Sequence, residues 1–177
     1  MNMKKSILAA ALAVAFAAPA AAHVTLDKGE AAAGGYYKAE FRVPHGCDGA
    51  ATTRISIRIP EGVIAVKPQP KPGWVETTRI AKYAGVYENH GKTVTEGVVE
   101  VTWEGGPLAD DRFDEFAFQA KLPDDPEIMM LFFPVAQSCT EGEISWDQLP
   151  VPGAGNLPRP APGLMLIHGE GGHAHHH

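Results

Sequence analysis

The stretch Thr53-Arg54-Ile55-Ser56-Ile57-Arg58-Ile59 alternates polar and apolar side chains with a period of two. Successive side chains of an extended strand point to opposite faces, so this pattern predicts a strand with one wet face and one buried face. Pro60-Glu61-Gly62 ends it, since Pro lacks a ladder donor and Gly favours a turn. The same pattern continues toward the C-terminus. Val98-Val99-Glu100-Val101-Thr102-Trp103 is rich in β-branched residues and stops at Glu104-Gly105-Gly106-Pro107. Phe113, Phe116 and Phe118 lie in another run, closed by Leu122-Pro123-Asp124-Asp125-Pro126. Met129 to Val135 is almost wholly apolar. It predicts a central strand buried on both faces, with Met129 and Met130 in the core. Ile144 and Trp146 mark the last predicted strand, and Lys67-Pro68-Gln69-Pro70-Lys71-Pro72-Gly73-Trp74 reads as a stiff extended connection entering a strand at Trp74. No long stretch has a helical period. The fold expected over residues 23–149 is all-β: a single antiparallel β-sandwich of the immunoglobulin or cupredoxin kind.

Beyond residue 149 the texture changes. Pro152, Gly153, Gly155, Pro158, Pro160, Pro162 and Gly163 crowd a short span. Residues 150–177 are therefore expected to be a flexible, mostly unpacked tail. It ends in imidazoles, with His173, His175, His176 and His177 as loose auxiliary metal donors. They belong either to a native metal-scavenging tail or to an added tag.

The other end reads as a secretory leader. Lys4 and Lys5 precede an apolar run from Ser6 to Ala18, and Ala20 and Ala22 form the A-x-A pattern that signal peptidase accepts. Residues 1–22 are expected to be removed, and cleavage after Ala22 leaves His23 as the first residue. The leader carries two of 15 basic residues and no acid, so the rest holds 13 bases against 21 acids, a net of -8. That argues against nucleic acid as a partner, since such affinity comes largely from Lys and Arg on phosphates. No later segment is long and apolar enough to span a bilayer, and the mature chain is expected in the periplasm. Cys47 and Cys139 are the only cysteines. In an exported chain they read first as one disulfide; the alternative is a thiolate copper site.

Several motifs in order resemble the YcnI-like family of exported copper-binding domains. They are His23-Val24-Thr25, Pro44-His45-Gly46-Cys47-Asp48-Gly49 with Thr52-Thr53, and Ile59-Pro60-Glu61-Gly62-Val63. Val66-Lys67-Pro68, Pro70-Lys71-Pro72-Gly73-Trp74 and Phe113-Asp114-Glu115-Phe116 follow, then Phe132-Phe133-Pro134-Val135, Gln137, Cys139, Gly142 and Trp146. The resemblance covers residues 23–149. It implies a β-sandwich that binds Cu(II) near its N-terminus and serves copper handling beside a copper transporter or another periplasmic copper carrier. Carried over, the ligands are His23 and Glu115, in a mono-histidine brace, with Trp146 close by. Asp114 and Glu104 are alternative carboxylates.

The chemistry of the residues is consistent with that implication. A mature His23 offers an α-amine and a ring Nδ1 in one chelate. Their ordinary pKa values, roughly 7.7–8.0 and about 6.5, let both lose protons when a metal competes. Two nitrogens and one carboxylate oxygen suit the tetragonal preference of Cu(II). An indole beside the ion excludes water and adds a cation–π contribution. If Phe116 faces the core, Glu115 and Phe113 face the other way; the opposite assignment puts Glu115 inward. His45 is a candidate second imidazole, and His90 in Glu88-Asn89-His90-Gly91 reads as a loop residue.

The leading expectation is a non-catalytic Cu(II) carrier or chaperone. One alternative is a copper-dependent oxidative enzyme with a histidine brace, in which His45 or His90 supplies the second imidazole. Another is an adhesion or assembly sandwich without metal.

Overall fold

A computed structural model describes residues 23–153 and 155–169. The leader (residues 1–22) and the histidines at 173, 175, 176 and 177 lie outside the described residues. Every regular element among the described residues is a strand.

The alternating stretch that opens the sequence reading forms β4 (Thr52–Arg58), with Ile55 and Ile57 fully buried. It lies in a five-stranded sheet beside β7 (Lys92–Leu108) and β10 (Val135–Cys139). The edges of that sheet are β6 (Trp74–Asn89) and β11 (Glu143–Trp146). The facing sheet orders β1 (Thr25–Leu26), β3 (Tyr36–Val43), β8 (Asp114–Lys121) and β5 (Ile64–Pro68). A third, short sheet orders β2 (Glu30–Ala32), β12 (Gly163–Ile167) and β9 (Met130–Phe132). All pairings between named strands are antiparallel except β2 with β12. The sandwich read from the sequence is the observed fold.

Its core is aromatic. Phe41 sits 5.7 Å from Phe118 and 5.6 Å from Phe133, and Trp103 lies 5.6 Å from Phe116, centroid to centroid. Such edge and tilted contacts add to the burial of large rings. β6 and β7 form a long hairpin whose turn uses His90 and Gly91, both at positive φ (51° and 73°). Two left-handed residues match the twist of the flanking strands, so His90 is a loop residue, as read. The hairpin is clasped back onto the body. Tyr36 donates to Asn89 Oδ1 (3.2 Å), and Glu61 accepts from the Tyr87 hydroxyl and the Gly85 N–H. Burial alone would raise the Glu61 carboxyl; the bonds from Tyr87, Gly85 and Ala84 outweigh it and hold it below its ordinary range. Burial and Glu61 together push the Tyr87 phenol up to about 12.

Two expectations are corrected. Met129 to Val135 is not one central strand. It breaks between β9, an edge strand of the short sheet, and β10, which joins the five-stranded sheet. Pro134 separates the two, and Met129 and Met130 are exposed rather than core. An apolar run records that side chains are greasy, and says nothing of a change of sheet within it.

The second correction concerns the tail, because the packed domain does not end at residue 149. Residues 163–167 form β12, and Leu164 and Leu166 are fully buried in the main core. The return path is held by Ala161 N–H to Gln148 O (2.9 Å) and Phe133 N–H to Pro162 O (2.9 Å). Leu164, Met165, Leu166 and Ile167 alternate buried and exposed, a strand pattern obscured by the surrounding Pro and Gly.

Because Leu164 fills the core, Leu164→Ala is expected to destabilise the domain by about 2–5 kcal/mol in chemical denaturation. An unchanged midpoint would show that β12 is dispensable.

Candidate metal centre

β1 pairs with β3 so that Thr25 faces Arg42 and Leu26 faces Phe41. Just before β1, Val24 is buried in the core and anchors the start of the described chain. His23 therefore sits at a fixed place, half-buried at the lip of the sandwich. Its ring lies 5.8 Å from that of Trp146, tilted by 59°. A groove of about 240 Å³ runs beside it, lined by His23 to Leu26 on one side and Pro160 to Gly163 on the other.

Trp146 is buried and its N–H is already used. It donates to Gln137 Oε1 (3.0 Å), while Gln137 Nε2 donates to the His45 carbonyl and to Thr52 Oγ1 (2.8 Å each). The indole therefore presents only its ring toward His23. Gln137 is the residue linking this corner that sequence reasoning passed over, having figured only as one letter of a motif. Its signal was present: by strand alternation Gln137 falls on the same face as buried Val135, a polar side chain in an inward row.

The same end carries the disulfide. Cys47 and Cys139 are bonded, with Cα atoms 6.0 Å apart. The bridge ties the loop after β3 to the end of β10, and the thiolate alternative falls. That loop folds tightly. Cys47 and Ala50 exchange two backbone hydrogen bonds of 2.9 Å, and His45 Nδ1 donates to the Gly46 carbonyl (2.6 Å). A Cβ on Gly46 would fall 1.9 Å from the Ala50 oxygen, so only glycine fits there.

Among the carboxylates, the faces are now settled. Phe116 is buried, and Phe113 and Glu115 point outward. Glu115 lies opposite Arg42 on β3 and pairs with its guanidinium at 3.1 Å. Arg42 also covers the Phe113 ring at 5.3 Å. Asp114 receives Lys71 Nζ at 2.6 Å and caps the Glu115 N–H at 2.8 Å. Glu104 sits on β7, in the other sheet, opposite Arg54.

Thr25, Arg42 and Glu115 form one row across three strands, which separates β1 from Glu115 by roughly 10 Å at two strand spacings. The structure thus brings His23 and Trp146 together, with the His45 backbone one hydrogen-bonded step away through Gln137. It leaves Glu115 two strands off. Among the described residues, no three of His, Cys, Asp and Glu gather as a ready cluster. His90 is at the other end of β3, stacked on Tyr36 with Nε2 2.9 Å from the phenol oxygen.

With this geometry in hand, comparison with known proteins is informative. A family model described as a domain of unknown function, DUF1775, matches residues 23–166. The chain belongs to this family. The match starts at His23 and ends within β12, and the resemblance read from the motifs stands. A curated relative, the copper-binding protein CutI of Bacillus subtilis (strain 168), is 32% identical over 114 residues. That alignment covers 63% of this chain, which spans about half (49%) of the relative's length. A solved structure, an uncharacterized protein from Nocardia farcinica with an immunoglobulin-like fold, is 30% identical. It superposes with a TM-score of 0.63 over 81% of this chain and 97% of its own.

Replacing Gln137 by Leu strands the buried Trp146 N–H and removes a donor from the buried Thr52 hydroxyl. Each stranded group costs about 1–3 kcal/mol. Denaturant melts should show at least the lower value, with a shift in Trp146 fluorescence. A melt unchanged within error would mean that the amide holds nothing.

Proposed function

We propose that this protein is a non-catalytic Cu(II) carrier of the periplasm. It holds the ion through the α-amine and Nδ1 of a processed His23 and one oxygen of Glu115, beside Trp146. The observation that carries this reading is the position of His23. Its imidazole stands at the lip of a groove, against an aromatic face whose polar handle is turned away. The wall of Trp146 shields one side of a bound ion, and the groove admits it from the other. The naming of the relative CutI as a copper-binding protein supports the same reading.

The donors suit the ion. Two nitrogens and a carboxylate match Cu(II), which also tops the divalent affinity order. The disulfide withdraws the sulfurs that would favour Cu(I) at this place. Glu115 must leave Arg42 to serve as the oxygen donor, and that step is inexpensive. The pair is about half exposed on the Arg42 side and a third on the Glu115 side, and such surface pairs contribute about 0–1 kcal/mol. In this reading Arg42 is a competitor of the metal for Glu115, and Lys71 holds Asp114 out of the contest. A copper transporter or another carrier is the partner that such a role requires.

His45 lies at the same end as His23, which keeps an oxidative enzyme as the second reading. It predicts reductant-driven oxygen consumption by the copper-loaded domain that His45→Ala abolishes. The carrier reading predicts none.

His23→Ala in the processed chain should abolish one-to-one Cu(II) binding in calorimetry. Glu115→Gln should weaken it about tenfold or more, as loss of even an outer-shell partner does. Arg42→Ala should tighten it by up to about fivefold, the release of a pair contributing up to about 1 kcal/mol. Unchanged affinity in His23→Ala would refute the brace. Unchanged affinity in Glu115→Gln would move the oxygen to another carboxylate.

A further inference from the structure

The exposed methionines corrected above form a cluster with its own chemistry. Beyond residue 22 the chain has three methionines, Met129, Met130 and Met165, and two of them, Met130 and Met165, meet on the short sheet. Met130 on β9 faces Met165 on β12 directly across the ladder. Both side chains point to solvent, each 43% exposed, while Leu131, Leu164 and Leu166 between them are buried. Met129, one residue before β9, is 56% exposed. A lone exposed apolar side chain needs no explanation, but two thioethers paired across a ladder form a donor set.

Side chains directly opposed on adjacent strands have Cβ atoms roughly 4.5–5.5 Å apart. Unbranched methionine has three rotatable bonds, so two such sulfurs converge on one point without moving the backbone. On the other side of Met165, in the same row, stands exposed Glu30 on β2. Gly163 makes room for the arrangement. The Met130 methyl lies 3.1 Å from where a Cβ on Gly163 would be. Gly163 also lines the His23 groove, so the sulfur cluster and the groove share that residue as a wall.

We propose that Met130 and Met165 form a site for a soft monovalent cation of the Cu(I) and Ag(I) class. Thioethers select such ions and reject hard or borderline divalent ones. The site is separate from the nitrogen–oxygen site of His23 and stands or falls independently of it. Exposure at a sheet edge makes it an open, exchangeable site rather than a sealed one.

Methionine methyl carbon NMR on the processed full chain, titrated with Ag(I) as a redox-inert probe, tests this directly. The Met130 and Met165 signals should shift together and saturate near one equivalent, in the wild type and in His23→Ala alike. Zn(II) should leave them in place. The double change Met130→Leu with Met165→Leu keeps volume and exposure, so folding is expected to survive. It should weaken Ag(I) retention against a competing chelator by at least about tenfold, since outer-shell losses alone reach that size. Cu(II) binding in that variant should be unchanged, which separates this site from the His23 reading. Immobile Met130 and Met165 signals, or equal Ag(I) affinity in the double variant, would overturn the proposal.

Discussion

Gln137 is a neutral amide buried in an apolar sandwich, and it is tolerable there only because its hydrogen bonds are made. Its oxygen takes the Trp146 N–H, and its nitrogen serves the His45 carbonyl and Thr52. Burying an unpaired amide costs several kcal/mol, so the three partners are fixed as firmly as the amide itself. No buried polar side-chain atom among the described residues lacks a partner. The consequences spread outward. Trp146 is oriented with its ring toward His23, the loop from His45 to Cys47 is held down, and the disulfide closes the same corner. The end of the sandwich around His23 is thereby tied together by bonds that do not depend on a ligand.

How much of this was readable in the sequence depends on which physical signal each element carried. Thr53 to Ile59 showed its strand because one face is wet and the other dry. Val98 to Trp103 and Phe116 to Phe118 did so for similar reasons. Met129 to Val135 misled because an apolar run has no internal marker of where it leaves one sheet for another. Leu164 and Leu166 were hidden differently: their period of two lasts only one short strand, amid residues typical of a loop. The site was legible in part. The place of His23 follows from the motif order, and the disulfide from a chain with only two cysteines. The face of Glu115 awaited the register of β8 with β3, which local sequence does not encode. Gln137 was visible as a letter but not as a hub, since a strand pattern does not say which inward polar group finds partners.

Electrostatics shapes the corner as much as packing does. The chain beyond residue 22 is acidic by eight charges, a background that favours approach of a cation. Two of the carboxylates read from the sequence as metal donors are, however, already in ion pairs: Glu115 with Arg42 and Asp114 with Lys71. The two pairs are not alike. Lys71 is mostly buried, bridges Asp114 and the Glu115 carbonyl, and sits 5.0 Å from the Phe116 ring centroid. Arg42 lies on the surface with one ionic partner and an exposed ring beneath it. Ionic contacts at the surface break for little free energy, whereas a network anchored on the core does not. Of these two acids, Glu115 is therefore the more easily released.

The same strand logic that hides leucines on one face of β12 exposes Met165 on the other, and pairing with β9 sets Met130 beside it. Both side chains nevertheless keep 43% of their surface open to solvent. Nitrogen and oxygen donors prefer the cupric ion, and thioethers prefer the cuprous one. Gly163 borders both places: it lines the groove beside His23, and the Met130 methyl lies close to it. On the two proposals made above, nitrogen–oxygen and sulfur donors would occupy adjoining but distinct surfaces, one suited to each oxidation state. Because β12 is packed through Leu164 and Leu166, the spacing between those surfaces is set by the sandwich itself and not by a mobile loop.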